Sequence, residues 1–246
     1  MLKGNKAIVT GGSRGIGFAI ANELAQRDCT VVITGRNLES LEQATKKIGG
    51  KVIPMVWDVS QIELAENKIK EAAALMGGLD IVVNNAGIFA QRDEWNKESL
   101  LKTTVDEWEV VMKTNTSSIF FTMQATVKYM LENNIKGNIL NVTSVAGCEP
   151  VFGAYSASKI ASTGLTRGWG KMFAADGITI NGIAPGPVAT EMNNWHEGDP
   201  MENERIPFGR FATIDEIARL AMYLLSKEAE MVCGETVILD GAYAIR

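Results

Sequence analysis

Tyr155 and Lys159 stand four residues apart in Tyr155-Ser156-Ala157-Ser158-Lys159, a spacing that puts both side chains on one face of a helix. A free phenol titrates near pH 10, and a neighbouring ammonium favours its ionised form and lowers that value. Such a pair can give a proton to an oxygen or take one from it. Tyr-x-x-x-Lys is common by chance, so its weight comes from its company. Ser144 ends a short apolar run from Asn138 to Thr143, Asn115 lies in a long helical pattern, and Asn84-Asn85-Ala86-Gly87 follows the run Ile81-Val82-Val83. All are polar or small groups at or near the ends of predicted strands.

A second constellation precedes them. Thr10-Gly11-Gly12-Ser13-Arg14-Gly15-Ile16-Gly17 separates the apolar run Ala7-Ile8-Val9 from a helical pattern carrying Ile16, Ile20, Leu24 and Ala25. A dinucleotide needs a tight turn here, backbone close to its pyrophosphate and a helix N-terminus facing the charge. Gly11, Ser13, Arg14, Gly15, Ile16 and Gly17 are the candidate contacts, although the spacing G-x-x-x-G-x-G is not the best-known fingerprint. The next strand ends Ile33-Thr34-Gly35-Arg36-Asn37. Where an acidic residue would accept from a ribose 2′-hydroxyl, there is Gly followed by Arg, and a guanidinium suits a 2′-phosphate. NADP(H) is therefore expected over NAD(H), with Arg36 the main cation and Arg14 a second.

Strand and helix patterns alternate along the whole chain. Strands are expected at Ala7–Val9, Thr30–Thr34, Val52–Trp57, Ile81–Val83, Asn138–Thr143, Thr179–Ile183 and Glu235–Leu239. Helices are expected after Gly15 and over Leu38–Ile48, Ile62–Met76, Val105–Asn133, Tyr155–Ala175 and Ile214–Ser226. Strands apolar on both faces, alternating with helices, predict one α/β domain with a doubly wound parallel sheet of about seven strands and helices on both faces, a Rossmann fold. Its ligand belongs at the carboxyl ends of the strands.

Composition narrows the function classes. The chain has 246 residues, 46% apolar and 22% charged, with Lys+Arg 24 against Asp+Glu 29 for a net charge of −5. This acidic balance argues against nucleic acid or an anionic membrane as partner. No apolar run approaches the roughly 18 residues of a membrane helix. The segment after Met1–Lys6 has no signal-peptide core, and three widely spaced cysteines (Cys29, Cys148, Cys233) suit a reducing cytoplasm. His196 is the single histidine, which removes histidine-based metal sites and Ser-His-Asp triads. It reads as a surface residue.

Taken together, Thr10–Gly17, Asn84–Gly87, Asn115, Ser144, Tyr155/Lys159 and Pro185-Gly186 resemble the single-domain short-chain dehydrogenase/reductase family, in family order from about Lys6 to Gly241. The resemblance implies that Tyr155 is the general acid in carbonyl reduction and the base in alcohol oxidation. Lys159 would lower its pKa and hold the nicotinamide ribose, Ser144 would bond the substrate oxygen, and Asn115 would hold a relay water. It further implies that Asp58 hydrogen-bonds the adenine amino group with Val59 beside it, that Asn85, Ala86 and Gly87 lie near the cofactor ribose, and that Pro185, Gly186, Val188 and Thr190 border the nicotinamide. Family members commonly form homotetramers through the Tyr155 helix, where Trp169, Met172 and Phe173 make an apolar face, and the long helix before it.

The pattern is closest to bacterial 3-oxoacyl-(acyl-carrier-protein) reductases, yet it departs from them. Only ten residues separate Ser144 from Tyr155, about two fewer than usual, and 90–104 is longer, either a lid or an idle surface loop. Where those enzymes carry basic residues for an acidic carrier, this chain reads Glu132-Asn133-Asn134 and Ala174-Ala175-Asp176, with only Lys136 nearby. The expected partner is thus a small freely diffusing carbonyl or alcohol. A carrier-protein substrate is the alternative, and a non-catalytic NADP(H)-binding sensor is the alternative from another class; a sensor has no need of all four of Asn115, Ser144, Tyr155 and Lys159. The pocket loops 90–97, 145–152 and 191–208 leave the substrate open.

Overall fold

The structure is a computed structural model and describes residues 2, 4–89, 97–150 and 152–244. Seven parallel strands form one sheet: β1 (Lys6–Thr10), β2 (Thr30–Gly35), β3 (Val52–Val56), β4 (Ile81–Asn84), β5 (Asn138–Val142), β6 (Thr179–Pro185) and β7 (Thr236–Leu239). Their order is β3-β2-β1-β4-β5-β6-β7. The chain reverses direction of travel across the sheet between β1 and β4, whose register pairs Ala7 with Ile81 and Val9 with Val83. That reversal opens the crevice where an α/β sheet takes its ligand.

The helices are α1 (Gly15–Ala25), α2 (Leu38–Ile48), α3 (Ala65–Met76), α4 (Lys97–Lys102), α5 (Val105–Met112), α6 (Ser118–Glu132), α7 (Ala154–Phe173) and α8 (Ile214–Leu224). Alternate strand residues face opposite layers. Ala7, Val9, Val31 and Ile33 bury against α1, α2 and α8, whereas Ile8, Val32, Met55 and Trp57 bury against α3 and α6. A third cluster, with Met123, Met130, Ile139 and Ile180, lies under α6 and α7. The strands are apolar on both faces because both faces are covered.

Three expectations are corrected in detail. The long helix expected over Val105–Asn133 is interrupted at Lys113–Ser117 by a wider π turn, which puts Asn115 on the bulge. The 62–76 helix begins as a tight turn at Ile62–Leu64. The segment expected as loop before Thr104 contains α4, after which Thr104 and Glu107 form a reciprocal cap on α5. A capping Thr-x-x-Glu sets that helix start locally, whereas the π turn answers to tertiary contacts described next.

Candidate functional site

The four polar residues singled out from the sequence gather around the carboxyl ends of β4 and β5. Lys159, one turn into α7, is buried, and its Nζ donates to the carbonyl of Val142 at 3.2 Å. The ammonium lies 5.6 Å from the centre of the Tyr155 ring. Burial lowers the Lys159 pKa to about 8. The ring of Phe89 meets that of Tyr155 edge-on, centroids 4.7 Å apart, so Tyr155 is flanked by one aromatic ring and one cation. A Cβ on Gly87 would fall 3.3 Å from Asn115 Oδ1 and 3.6 Å from Lys159 Nζ. A side chain at this position would crowd Asn115 and touch Lys159, which glycine avoids.

Asn115 is fully buried and its side chain is committed to protein partners. Its Oδ1 accepts the Ile88 N–H at 2.8 Å, and its Nδ2 donates to the Ile88 carbonyl and to Ser158 Oγ at 2.9 and 3.1 Å. These bonds tie the π bulge to the chain leaving β4. The bulge is further pinned by Ser162 Oγ, which donates to the Asn115 carbonyl at 3.1 Å, and by Thr116 Oγ1, which donates to the Ser158 carbonyl. Deeper in the same layer Asn84 donates to Asn141, and Asn141 to Thr166 Oγ1. A buried polar ladder of this kind holds a single geometry because each unmade bond is costly. Ser144 sits at the end of β5 and its Oγ accepts the Ala146 N–H at 3.2 Å. Gly147 packs so close to α7 that a Cβ would lie 2.6 Å from the Lys159 carbonyl.

The glycine loop stands beside this cluster at the end of β1. Gly11 and Gly15 have φ of +65° and +57°, a region that favours glycine. Gly17 serves packing: a Cβ there would meet Asn85 Nδ2 and the Gly11 carbonyl at 2.4 Å. Asn85 Nδ2 donates to the carbonyls of Thr10 and Gly11, and Thr10 Oγ1 accepts the N–H groups of Asn85 and Ala86. Thr10, Ser158, Ser162 and Phe89 were not among the residues expected from sequence. Their signal was weak, since lone hydroxyls in helices and turns are usually local hydrogen-bond formers.

A family model described as enoyl-(acyl carrier protein) reductase matches residues 11–244. The chain is 34% identical to gluconate 5-dehydrogenase of Gluconobacter oxydans (strain 621H), covering 99% of this chain and 96% of the relative. It is 33% identical to a 3-oxoacyl-[acyl-carrier-protein] reductase of Thermotoga maritima, covering 99% of both. The chain belongs to the short-chain dehydrogenase/reductase family. Among solved structures, a short chain dehydrogenase from Bacillus anthracis superposes with TM-score 0.87 at 31% identity, covering 100% of this chain and 99% of that one. An actinorhodin polyketide ketoreductase solved with NADPH gives 0.88 at 27% identity, with coverage of 100% and 99%. Short-chain dehydrogenase/reductases are oxidoreductases that use a nicotinamide cofactor.

The residues present fit such a cofactor. At Gly15 a Cβ would meet only Thr190 Cγ2, at 3.9 Å, so backbone is open to a ligand there. The start of α1 at Arg14 carries no side-chain cap, so its first N–H groups suit an anion. Ile16 is half-buried at the first turn and Ser13 Oγ lies 3.9 Å from where a Gly35 Cβ would be. Arg36 is exposed just beyond β2.

The remaining expected contacts divide in two. Asp58 uses Oδ1 to accept the Ser60 N–H at 2.9 Å, and Val59 is buried beside it. Val188 is buried, bridged to Ala212, and Thr190 ends that extended segment. Pro185 closes β6, and Gly186 is packed against β7, since its Cβ would meet Asp240 Cβ at 2.5 Å. Asn85, Gly17 and Gly186 thus brace the loops around the crevice. His196 and Cys148 are exposed. The wall expected at 90–97 lies outside the described residues up to Asn96, as does Val151.

Two predictions follow from packing and charge. Below its folded pKa of about 8, Lys159 is a buried ammonium, while the unfolded chain stays protonated up to 10.5. The unfolded state binds more protons between those values, so stability rises with pH across that window. Lys159→Met should stabilise the fold by about 1–3 kcal/mol at pH 7, and the gain should vanish by pH 10.5 in urea titrations. Gly17→Ala should cost about 1–3 kcal/mol from overpacking and abolish dinucleotide binding in calorimetric titrations.

Proposed function

We propose that the protein is an NADP(H)-dependent oxidoreductase interconverting a small ketone and a secondary alcohol. Tyr155 is its general acid/base, acting with Lys159, Ser144 and Asn115. The observation that carries this reading is the buried ammonium of Lys159 beside the Tyr155 ring. A positive charge with little water around it favours the ionised phenol far more than the same charge at the surface. When bound, the nicotinamide supplies or accepts a hydride at the substrate carbon. In the direction of reduction, Tyr155 delivers a proton to the carbonyl oxygen; in oxidation it takes one away. Ser144 already accepts from Ala146, and its own hydroxyl proton is the one to offer the substrate oxygen. Asn115, committed to Ile88 and Ser158, holds the bulge against which a relay water for Lys159 would sit. A catalytically idle sensor does not account for so much buried polar bracing around one phenol and one ammonium.

NADP(H) is favoured over NAD(H) by charge at the end of β2. Gly35 presents no carboxylate, Arg36 is exposed next to it, and Ser13 lies alongside. Asp58, Val59, Asn85, Ala86, Gly87, Pro185, Gly186, Val188 and Thr190 complete the cofactor's surroundings in this reading. A free carbonyl compound is favoured over a carrier-bound one because Glu132, Asn133 and Asn134, and Ala174, Ala175 and Asp176, are exposed and carry no cation for an acidic protein. Carrier-linked 3-oxoacyl reduction, named for several relatives, is the second reading.

The groove between α6 and α7, lined by Phe120, Phe121, Gly164, Leu165, Gly168 and Trp169, supports assembly as a homotetramer. Trp169 and Phe173 turn partly into the core, while Met172 is exposed. A reducing cytoplasm as the working place is supported by the three widely spaced cysteines, Cys29, Cys148 and Cys233, all free thiols; among the described residues no helix is long and apolar enough to cross a membrane.

Tyr155→Phe should lower kcat by at least about a thousandfold, from lost proton transfer and positioning, while NADPH still binds in fluorescence titration; near-normal turnover would refute the role. Arg36→Asp should invert the cofactor preference, and an enzyme that kept favouring NADPH would sink the assignment of β2. Turnover on acyl-carrier-protein thioesters, compared with free diketones, keto-sugars and ketosteroids, separates the two substrate readings.

A further inference from the structure

Arg14, assigned above to the 2′-phosphate as a second cation, points elsewhere in this structure. Its Nη1 donates to Glu191 Oε2 at 2.6 Å, across 177 residues of sequence. The side chains of Arg14 and Glu191 remain 80% and 65% exposed. Next door the two segments run close without touching, Thr190 Cγ2 lying 3.9 Å from where a Gly15 Cβ would be. The Arg14–Glu191 pair is therefore the link between the glycine loop and the chain leaving β6.

The two anions that Arg14 can serve lie on opposite flanks. Glu191 follows β6, three places from β1 on one side of the sheet; Gly35 and Arg36, where a 2′-phosphate would sit, follow β2 on the other side. Arg14 joins them because Ser13, its neighbour, abuts Gly35. The backbone of Glu191 has little freedom to follow the guanidinium. Val188 is bridged to Ala212, Asn193 Nδ2 donates to the Val188 carbonyl at 2.8 Å, and the Trp195 N–H donates to the Thr190 carbonyl at 3.1 Å. The long Arg14 side chain is the partner that can swing.

We propose that Glu191 is a cofactor-specificity residue that acts through Arg14. Its carboxylate competes with the 2′-phosphate for the guanidinium and so weakens NADPH binding relative to NADH. The inference rests on the reading that Arg14 faces the 2′-phosphate. NADH offers no second anion for Arg14 on the β2 side, so the ion pair to Glu191 survives when it binds.

The test is a set of dissociation constants for NADPH and NADH, measured by fluorescence or calorimetry on the full chain and on Glu191→Gln, Arg14→Gln and the double variant. Glu191→Gln should tighten NADPH about two- to fivefold, the worth of an exposed ion pair, and leave NADH unchanged. The gain should disappear in the Arg14→Gln background, where the competition has no object, and shrink in high salt. Unchanged or weaker NADPH binding in Glu191→Gln overturns the proposal. So does an equal gain for NADH, or one that persists without Arg14, because each reports only removal of a negative charge near the pyrophosphate. Arg14→Gln by itself separates the two levels: if it leaves NADPH affinity intact, the assignment of Arg14 to the 2′-phosphate fails and takes the inference with it.

Discussion

Removing an ammonium from water costs several kcal/mol unless hydrogen bonds and nearby negative or π density replace the lost solvation, and Lys159 is buried. It recovers part of that cost through the Val142 carbonyl and the face of Tyr155. Much of the surrounding architecture follows from holding it there. Gly147 lets the chain after β5 lie against the Lys159 carbonyl, and Gly87 leaves room between Lys159 and Asn115. The π bulge at Lys113–Ser117 turns Asn115 inward, where Ile88 and Ser158 hold it. A straight helix would place a different register of side chains against α7. The local expense of the bulge is offset by a ladder of buried hydrogen bonds running from Asn115 through Ser162 and Thr166 to Asn141 and Asn84.

The glycine loop obeys a different constraint. Its glycines are usually thought of as making room for a ligand, yet here they divide the labour. Gly15 leaves backbone open toward the crevice, whereas Gly17 makes room for Asn85 and the Gly11 carbonyl. Asn85 and Thr10 together lock β4 to β1 at the point where strand order reverses. The crevice is therefore rigid on the side where pyrophosphate would lie, and the adjustable group there is Arg14, whose exposed side chain reaches the β6 segment.

The seven strands and most of the helices were legible from sequence because the inner strands are apolar on both faces and alternate with helical patterns; α4, six residues long, was not. Such patterns are local signals reporting a layered core. Tyr155, Lys159, Ser144 and the glycine loop were legible for a related reason, since each sits at a strand-to-helix junction marked by small residues. The bulge at Asn115 was not, because Lys113-Thr114-Asn115-Thr116-Ser117 has no local peculiarity and takes its shape from Ile88 and α7. The bracing roles of Asn85 and Gly186 were hidden for the same reason: their partners, Thr10 and Asp240, lie 75 and 54 residues away in sequence. The pairing of Arg14 with Glu191 lies further still from anything a pattern can reveal.

The same division explains why reaction class can be read more firmly than substrate. Beside Tyr155 and Lys159, the side chains of Asn115, Ser162, Thr166 and Asn141 each answer to buried partners, so a change at one of them leaves another group unpaired. The segment 191–208 is tied to the body near its ends, through Val188, Thr190 and Gly241, and between them bonds to itself: Trp195 Nε1 donates to the Pro200 carbonyl, the His196 N–H to Asp199, and the Arg205 N–H to Asn203. It returns to the body through the Glu202–Arg210 bridge and the ion pair of Arg210 with Glu216, which also caps α8. A loop anchored at its ends and satisfied within itself can change its exposed side chains without disturbing the ladder beneath. In the proposed reading, the proton-transfer groups and the substrate wall thus stand on separate energetic footings, and the wall is the part that can vary with the substrate.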